Sequence, residues 1–301
     1  MIKIDNLSKS FGKKQVLKNL NLTIKDNSIF GLIGINGAGK STLLRLLSNV
    51  YDADEGYIYY DNEKSSSLNA RKDIFFLADN PHSEVNKTIE EVLDFYSVFY
   101  ELDKEMFYQF LNEFNFDKNV LNTKSSINKF SKGMQRQVYL CLALSIAPKY
   151  LLLDEAFDGL DPLARLTFKR IILSLMEQKD MTIIISSHSL RELEDICDCY
   201  GLLDGGVIES SGDIESSLNQ YHKYQIAFNE EFNENNLNHL NIVSFEKVGR
   251  VIQIVCLGEE QQIENTLNLL NPIIIDKLPI DFEELFILKV KKEGYINYEK
   301  Q

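Results

Sequence analysis

The sequence predicts an α/β protein that is followed by a second, smaller α+β domain. Two observations lead to this fold class. An apolar run at residues 28–34 leads through a glycine-rich turn into a helical pattern, and two later apolar runs are each followed by a helical stretch. Such alternation of strands and helices is typical of a mostly parallel sheet covered by helices. With 301 residues the chain is about two average domains long.

The N-terminal elements follow from hydrophobic periodicity. Apolar and polar residues alternate at Ile2 and Ile4 and again from Leu20 to Ile24, which predicts two half-buried strands. Residues Ser28–Gly34 are nearly all apolar and predict a strand that is buried on both faces. Residues Lys40–Leu47 predict the helix that follows the glycine-rich turn.

A small helical subdomain is predicted at about residues 80–145. From Thr88 to Phe114 the apolar residues recur at helical spacing. We expect the aromatic residues among them to pack in the core; the alternative is that they form a groove for a partner helix. These aromatic residues are Phe95, Tyr96, Phe99, Phe107 and Phe110.

Strand character returns at Tyr150–Leu153 and at Thr182–Ser186. A helix follows each strand, and the pair Ser189 and Glu192 predicts that the second helix begins with a capping box. The α/β pattern ends near residue 215. We therefore predict a first domain of residues 1–215 and an accessory domain of residues 216–301.

The predicted accessory domain has a different composition, rich in Asn and Glu. Residues Ile242–Phe245 and Val251–Leu257 predict two strands around a turn at Gly249. The remaining predicted elements are a helix at Gln262–Leu270, a strand at Ile273–Ile275 and a helix at Asp281–Lys291. Together they indicate a small α+β unit.

Composition and charge exclude several classes of protein. Apolar residues make up 44% of the chain and charged residues 26%, so wholesale disorder is not expected. The formal net charge of −13 argues against a surface that binds nucleic acid or anionic lipid. Apolar runs stay shorter than 18 residues, so a membrane-spanning segment is expected only in other chains. The four cysteines lack a C-x-x-C spacing and indicate reduced, cytosolic thiols.

A phosphate-binding loop is indicated directly after the buried strand. Residues Gly34–Ser41 fit the pattern G-x-x-x-x-G-K-[ST] between a predicted strand and a predicted helix. Glycines let successive main-chain N–H groups point into one concavity, and the helix N-terminus adds its positive end. Lys40 would place a charge at the β- and γ-phosphates, and Ser41 a hydroxyl on Mg²⁺. The residues expected to contact nucleotide are Asn36, Gly37, Ala38, Gly39, Lys40, Ser41 and Thr42.

Two adjacent carboxylates follow a later apolar strand. Residues Tyr150–Leu153 lead into Asp154 and Glu155, and open α/β sheets bind ligands at the carboxyl ends of their strands. We expect Asp154 to reach the metal ion and Glu155 to polarise a water molecule at the γ-phosphate. A solvated turn is the alternative, which the strand and the phosphate loop disfavour.

Three further motifs resemble those of the ATP-binding-cassette (ABC) ATPases. Residues 130–135, FSKGMQ, resemble the signature of that family, usually written LSGGQ. Residues 159–161 are similar to the D-loop of that family. Ser187-His188 lies at the end of a predicted strand and is similar to the family's switch histidine. The motifs follow the family's order over about residues 1–215. The resemblance implies a P-loop ATPase domain with a mixed sheet and a helical subdomain, as in the nucleotide-binding subunits of exporters.

The resemblance also implies roles for single residues. Ser131 and Gly133 would contact the γ-phosphate of a nucleotide held by another subunit, and Asp161 would lie across the subunit interface. His188 would reach the γ-phosphate, against the alternative of a satisfied surface or core histidine. Phe11 would stack on adenine, against the alternative of a core or turn aromatic.

The sequence departs from the family's pattern at four positions. Asp79 stands where the Q-loop normally has a glutamine that meets Mg²⁺ and water; a carboxylate can still coordinate metal, but it adds negative charge and removes the amide donor. Lys132 and Met134 replace a glycine and a glutamine of the signature, and Ala156 replaces a proline. None of these changes removes a phosphate contact.

The implied function is that of an ATP-hydrolysing subunit that uses ATP and Mg²⁺. It would dimerise around two ATP molecules, with a second copy or with a related subunit, and drive separate transmembrane permease subunits from the cytoplasmic face of the cell membrane. The cargo stays open among peptides, antimicrobial compounds and lipids, and no nucleic-acid partner is expected.

Two other functions are disfavoured by the sequence. A soluble ABC-type ATPase that acts on ribosomes or DNA would usually carry two cassettes or a long coiled coil and basic surfaces. A small GTPase would need N-K-x-D, whereas Asn86-Lys87 and Asn128-Lys129 are followed by Thr88-Ile89 and Phe130-Ser131.

Overall fold

The structure is a computed structural model that describes residues 1–80, 87–116, 125–229, 237 and 239–292. The chain divides into two compact units, Met1–Ser211 and Gly212–Gln301, which we call the N-terminal unit and the C-terminal unit. Within the described ranges, no helix has both the length and the apolar character that crossing a membrane requires.

The N-terminal unit alternates strands with helices. The strands that begin in it are β1 (Ile2–Phe11), β2 (Lys14–Ile24), β3 (Ile29–Ile33), β4 (Glu55–Tyr60), β5 (Glu63–Lys64), β6 (Ile74–Leu77), β7 (Tyr150–Leu153), β8 (Thr182–Ser187), β9 (Cys199–Asp204) and β10 (Val207–Asp213). Its helices are α1 (Lys40–Leu47), α2 (Leu68–Lys72), α3 (Ile89–Tyr96), α4 (Lys104–Glu113), α5 (Lys132–Ile146), α6 (Pro162–Gln178) and α7 (Leu190–Glu194), with a short 3₁₀ turn at Ile127–Lys129.

Two sheets organise these elements. An antiparallel sheet has the order β2-β1-β4-β5, and a larger one has the order β10-β9-β3-β8-β7-β6. Strand β3 pairs in parallel with β8 and β9, and β7 pairs in parallel with β6 and β8. The predicted α/β class with a mixed sheet core is therefore confirmed.

The predicted doubly buried strand is confirmed as β3. All five of its residues are buried, as are all residues of β7 and β8. Phe30 and Leu32 of β3 pack in one core cluster with Leu43 and Leu44 of α1. This packing holds α1 against the sheet.

Parallel pairing brings four strand ends to one edge of the sheet. The residues that follow these ends are Gly34 after β3, Ala78 after β6, Asp154 after β7 and His188 after β8. Because the carboxyl ends of parallel strands share an edge, the loops that carry polar residues lie together there.

The aromatic stripe of the helical region splits in two. Phe107 and Phe110 of α4 are buried, which confirms core packing for them. The same prediction is wrong for Phe95 and Phe99, which are 41% and 64% exposed. Helix α3 buries Ile89, Val92 and Leu93 instead and ends at Tyr96, so Phe95 lies off its buried side and Phe99 beyond its last turn.

The predicted capping box at Ser189 is wrong. Ser189 precedes α7, but its side chain makes no cap. The Glu192 carboxylate accepts a hydrogen bond from Ser187 and pairs with Arg165, and the N–H of Ser189 donates to the hydroxyl of Ser187 instead. A capping box forms at α3, where Thr88 and Glu91 exchange hydrogen bonds.

The C-terminal unit contains one antiparallel sheet. Its strands are β11 (Tyr221–Ala227), β12 (Ile242–Val248), β13 (Val251–Leu257) and β14 (Ile274–Leu278), in the order β12-β13-β11-β14. Its helices are α8 (Ile214–Leu218), α9 (Glu260–Leu269) and α10 (Phe282–Lys292). Sequence reasoning missed β11, although Tyr224, Ile226 and Phe228 alternate and all three are buried.

Candidate functional site

The glycine-rich loop joins β3 to α1, as its sequence predicts. Helix α1 begins at Lys40, directly after Gly39, whose φ of +111° is a backbone conformation that favours glycine. A Cβ atom at Gly34 would lie 2.5 Å from the carbonyl oxygen of Leu203. The loop therefore packs closely on its neighbours because these two positions carry no side chain.

The lysine of the loop is buried and held from two sides. Its Nζ atom donates to the carbonyl oxygen of Gly34 at 2.6 Å and lies 3.1 Å from Oε1 of Glu155. Only 5% of Lys40 is exposed. The positive charge is thus fixed at the start of α1, where a helix N-terminus already favours anions.

Two serines organise the first carboxylate after β7. Asp154 is 1% exposed, and its Oδ1 atom accepts hydrogen bonds from Ser41 at 3.1 Å and from Ser186 at 2.8 Å. Its Oδ2 atom is buried without a hydrogen-bond partner. A buried carboxylate oxygen that lacks a partner is costly, so the arrangement suits a cation at that oxygen.

The second carboxylate links the lysine to the histidine. Oε2 of Glu155 lies 3.0 Å from Nδ1 of His188, while its Oε1 atom contacts Lys40. Glu155 has a φ of +46°, which is uncommon for a residue other than glycine and costs on the order of 1–3 kcal/mol. The main-chain N–H of Glu155 donates a hydrogen bond to the hydroxyl of Ser186 at 2.9 Å, which helps to hold this conformation.

Lys40, Ser41, Glu155 and His188 line one cleft of about 430 Å³, whereas the buried Asp154 is not part of its lining. Its lining consists of Lys14, Val16, Ile35, Asn36, Gly37, Gly39, Lys40, Ser41, Thr42, Asp79, Glu155, Asp158 and His188. Most residues predicted from the phosphate loop are therefore present. Ala38 is buried within the loop, and its N–H donates to the carbonyl of Ile35.

Asp79 lies in this cleft, on the loop that follows β6. Its carboxylate accepts a hydrogen bond from Asn80 at 2.9 Å. Burial raises the pKa of Asp79 above its usual value, and Arg136 opposes that shift. The structure thus brings the carboxylate of Asp79, which the resemblance assigned to the Q-loop, to the same cleft as Ser41 and Glu155.

The signature residues lie outside that lining. Ser131 caps α5, where its Oγ atom accepts a hydrogen bond from Met134 at 3.2 Å. Gly133 packs against the D-loop, since a Cβ atom there would lie 2.7 Å from the carbonyl oxygen of Gly159. Asp161 caps α6 by accepting from Ala164 at 2.9 Å. Ser131 and Asp161 are both exposed.

Phe11 also lies outside the lining of the cleft. It ends β1, is 45% exposed, and packs edge-on against Tyr51 with 5.4 Å between ring centroids. The hairpin that it begins continues to Lys14 and Val16, which do line the cleft. Its exposure rules out a core aromatic, while the alternative of a turn aromatic stays open because Phe11 lies at the turn between β1 and β2.

Sequence reasoning missed three residues of this region. Ser186 bridges Asp154 and the main chain of Glu155, Asp158 brings a ligand atom within 4.8 Å of those of Glu155 and His188, and Arg136 is described below. The signals were present. Ser186 is a polar residue at the end of a buried strand, and Asp158 falls between two recognised motifs.

The fold and the site define a class of protein. The parts of a P-loop nucleoside triphosphatase are present here: a buried parallel strand, a glycine-rich loop, a helix that begins with Lys40 and Ser41, and two carboxylates at the end of β7.

Comparisons with known proteins narrow this class. A family model described as "ABC transporter" matches residues 17–158. The chain is 32% identical over 233 residues to the lantibiotic transport ATP-binding protein SrtF of Streptococcus pyogenes, covering 76% of this chain and 98% of the relative. It is 29% identical over 292 residues to the ABC transporter ATP-binding protein YtrB of Bacillus subtilis (strain 168), covering 96% of this chain and 98% of the relative.

A solved structure described as the ATP-binding subunit of an ABC transporter agrees with these sequences. It superposes with a TM-score of 0.64 at 25% identity, over 72% of this chain and 91% of that one. The chain belongs to the family of ABC transporter ATP-binding proteins. It is an ATP-binding and ATP-hydrolysing subunit of a transporter.

Proposed function

We propose that the chain hydrolyses Mg-ATP in the described cleft and thereby drives an exporter. The observation that carries this proposal is the convergence of Lys40, Ser41, Asp154, Glu155 and His188 at one edge of the sheet. Phosphoryl transfer to water requires a positive charge that binds the phosphates, oxygen ligands that bind a metal ion, and a candidate general base.

The residues present fit a magnesium ion. Mg²⁺ prefers oxygen ligands such as carboxylates and hydroxyls. Asp154 offers a buried oxygen without a partner, and Ser41 lies beside it. Asp79 of the same cleft is a further oxygen ligand by this proposal. Bound there, Mg²⁺ would neutralise charge on the phosphate oxygens.

Glu155 and His188 would do the chemistry on water. Glu155 would accept the proton of the attacking water, since its carboxylate opens into the cleft. His188, which uses Nδ1 toward Glu155, keeps Nε2 for the γ-phosphate. Lys40 would hold the β- and γ-phosphates at the start of α1.

A second nucleotide-binding subunit, identical or related, is part of the proposal. Ser131, Gly133 and Asp161 lie away from the cleft lining, and two of them are exposed. This placement supports a role at a nucleotide held by another subunit. Phe11, with an exposed ring at the hairpin that leads to the cleft, supports stacking on adenine.

We also propose a docking surface for a separate transmembrane permease subunit. It is an apolar ridge that consists of Phe95, Val98 and Phe99, which are 41%, 75% and 64% exposed. Tyr96 beside it contacts Phe75 of β6 with 5.7 Å between ring centroids, and β6 leads to Asp79. Contiguous exposed apolar residues of this kind mark interaction sites.

Location and domain roles follow from these partners. The chain would work at the cytoplasmic face of the cell membrane, bound through the permease. Residues 1–215 would form the ATPase domain and 216–301 an accessory domain, which the two compact units support. Export is supported by the likeness to SrtF, whose name refers to lantibiotic transport. The relatives give the alternative of a soluble ribosome or DNA ATPase no support.

The test is the variant Glu155→Gln, with Glu177→Gln on the exposed side of α6 as control. Glu155→Gln keeps Lys40 and Ser41 but removes the base, so we expect ATP binding to stay within about threefold while kcat falls on the order of 10²-fold or more. In Mg-ATP the variant should also elute as a dimer from a sizing column. A fully active Glu155→Gln variant would refute the assignment of the base, and a strictly monomeric one would refute the two-subunit sandwich.

A further inference from the structure

The buried arginine of α5 binds the segment directly after β7, which we call the catalytic segment, through main-chain carbonyl oxygens. Arg136 is 5% exposed. Its Nε atom donates to Ala156 at 3.3 Å, and its Nη2 atom donates to Asp154 at 2.6 Å and Glu155 at 2.8 Å. Three successive carbonyls of the segment after β7 are therefore bound to one side chain.

The same guanidinium reaches the segment after β6. Its Nη1 atom donates to the carbonyl oxygens of Ala78 at 3.0 Å and Asp79 at 3.2 Å. A guanidinium has five N–H donors in a rigid plane, and here they meet five acceptors. A lysine at this position would keep the charge, but its three N–H donors on a single nitrogen are too few for the five carbonyl oxygens.

The two segments that Arg136 joins are those that carry the candidate chemistry. One holds Glu155 in its left-handed conformation, and the other presents Asp79 to the cleft. Burial lowers the pKa of Arg136, while the carboxylates of Asp79 and Asp154 favour the charged form. The main-chain acceptors let a buried cation stay beside these acids without taking either carboxylate as a hydrogen-bond partner.

We propose that Arg136 is a positioning residue for ATP hydrolysis, because it fixes the main chain of Glu155 and Asp79 against each other and leaves ATP binding to the phosphate loop. The proposal rests on the proposed function of the cleft. It extends that function by assigning the distance between the general base and the Q-loop carboxylate to a side chain of the signature helix.

The position of Arg136 gives this role a further consequence. It lies on α5 one turn after Ser131 and Gly133, and Gly133 packs directly on Gly159 of the D-loop. The first turn of α5, the D-loop and the catalytic segment thus form one packed body. A contact made by Ser131 or Gly133 would therefore affect the position of Glu155 in the same chain.

A purely structural arginine would behave differently from a positioning one. Loss of a structural residue lowers stability, and ATP binding and turnover then fall together. Loss of a positioning residue lowers kcat selectively, since a displacement of about 1 Å at a catalytic group can cost on the order of 10²-fold in rate.

The experiment compares Arg136→Lys and Arg136→Gln with the wild type, and uses Arg170→Lys as control. Arg170 is exposed and pairs with Glu113 on the surface, so its replacement should be neutral. We expect both Arg136 variants to bind ATP within about threefold of the wild type and to lose kcat by about ten- to hundredfold, with Arg136→Lys the less impaired.

Three outcomes are informative. Full kcat in a folded Arg136→Lys variant would overturn the proposal, and so would parallel losses of ATP affinity and kcat. Failure of the wild type to bind ATP would instead refute the proposed function, which this comparison separates from the role of Arg136.

The wild-type protein gives an independent reading if the variants do not fold. Five hydrogen bonds should slow both rotation about the Cζ–N bonds and exchange of the guanidinium protons with water. Arginine-selective ¹⁵N spectra should therefore contain one strongly protected guanidinium. If every guanidinium exchanges as fast as that of Arg170, identified with Arg170→Lys, the proposal is overturned.

Discussion

The two units of the chain use strand ends in opposite ways. In the N-terminal unit, parallel pairing of β3, β6, β7 and β8 gathers the polar residues after four strands at one edge. In the C-terminal unit, β13 pairs antiparallel with β11 and β12, and β11 pairs antiparallel with β14, so the carboxyl ends of neighbouring strands lie at opposite edges of the sheet. The residues that follow the parallel strands therefore share one edge in the N-terminal unit, whereas those of the C-terminal unit are divided between two edges.

Polar side chains of the C-terminal unit pair across its own elements. Gln253 donates to Gln225 at 2.9 Å on neighbouring strands, and Lys223 lies 2.8 Å from Glu284. In the N-terminal unit, Asp154 keeps a buried oxygen without a partner, and Lys40 and Glu155 face a cleft. Satisfied polar pairs thus indicate a structural surface, whereas converging and incompletely satisfied groups indicate a site for a ligand.

The largest effect is expected from Lys40→Ala. This variant removes the buried charge from the phosphate loop, so we expect ATP affinity to fall on the order of 10²-fold or more. The matched control is Lys149→Ala. Lys149 precedes the opposite end of β7 and pairs with Asp61 on the surface, and its loss should leave affinity unchanged. Titration with a fluorescent ATP analogue measures both, and equal losses would contradict the assigned site.

An intermediate effect is expected from Ile254→Ala in the C-terminal unit. Ile254 is fully buried in the core of that sheet, so its truncation should lower the free energy of unfolding by about 2–5 kcal/mol. The control Ile274→Ala lies on edge strand β14 at 51% exposure and should cost much less. Denaturant titration followed by ATP titration tests the comparison. If Ile254→Ala weakened ATP binding in the folded protein, the site would depend on both units.

The smallest effect is expected from Asp79→Gln, which restores the family's amide. We expect ATP affinity to change by less than about threefold, while the ATPase rate or its coupling to transport changes severalfold. Unchanged ATPase and unchanged transport would exclude a special role for Asp79.

The same variant has a predicted pH dependence. Burial raises the pKa of Asp79 in the folded state, so ionisation of this carboxyl costs stability once the pH exceeds its unfolded value. Asp79→Gln should therefore melt at a higher temperature than the wild type near pH 8, and the difference should shrink as the pH falls to about 4, toward the ordinary pKa of an aspartate carboxyl. A difference that is equal at both pH values would contradict this sign.

The local elements of the N-terminal unit could be predicted because their signals are local. The loop Gly34–Ser41 and the pair Asp154 and Glu155 each stand within one segment of sequence, beside a strand whose apolar run is unambiguous. The wrong prediction of a capping box at α7 also came from a local signal, which a contact with a distant residue overrode. Ser189 and Glu192 have the spacing of a capping box, but Arg165 of another helix takes the carboxylate.

Hydrophobic periodicity and turn chemistry were enough to predict the α/β class, the phosphate loop and the two carboxylates at a strand end, since these signals depend on near neighbours along the chain. The role of His188 was predicted from the resemblance to the ABC family. Only the tertiary structure decided that Phe107 is core while Phe95 is surface, and that Ser186 holds Asp154. It also decided that Arg136 binds five carbonyls from two loops. These facts depend on contacts between segments that sheet pairing and helix packing bring together, and no spacing along the chain encodes them.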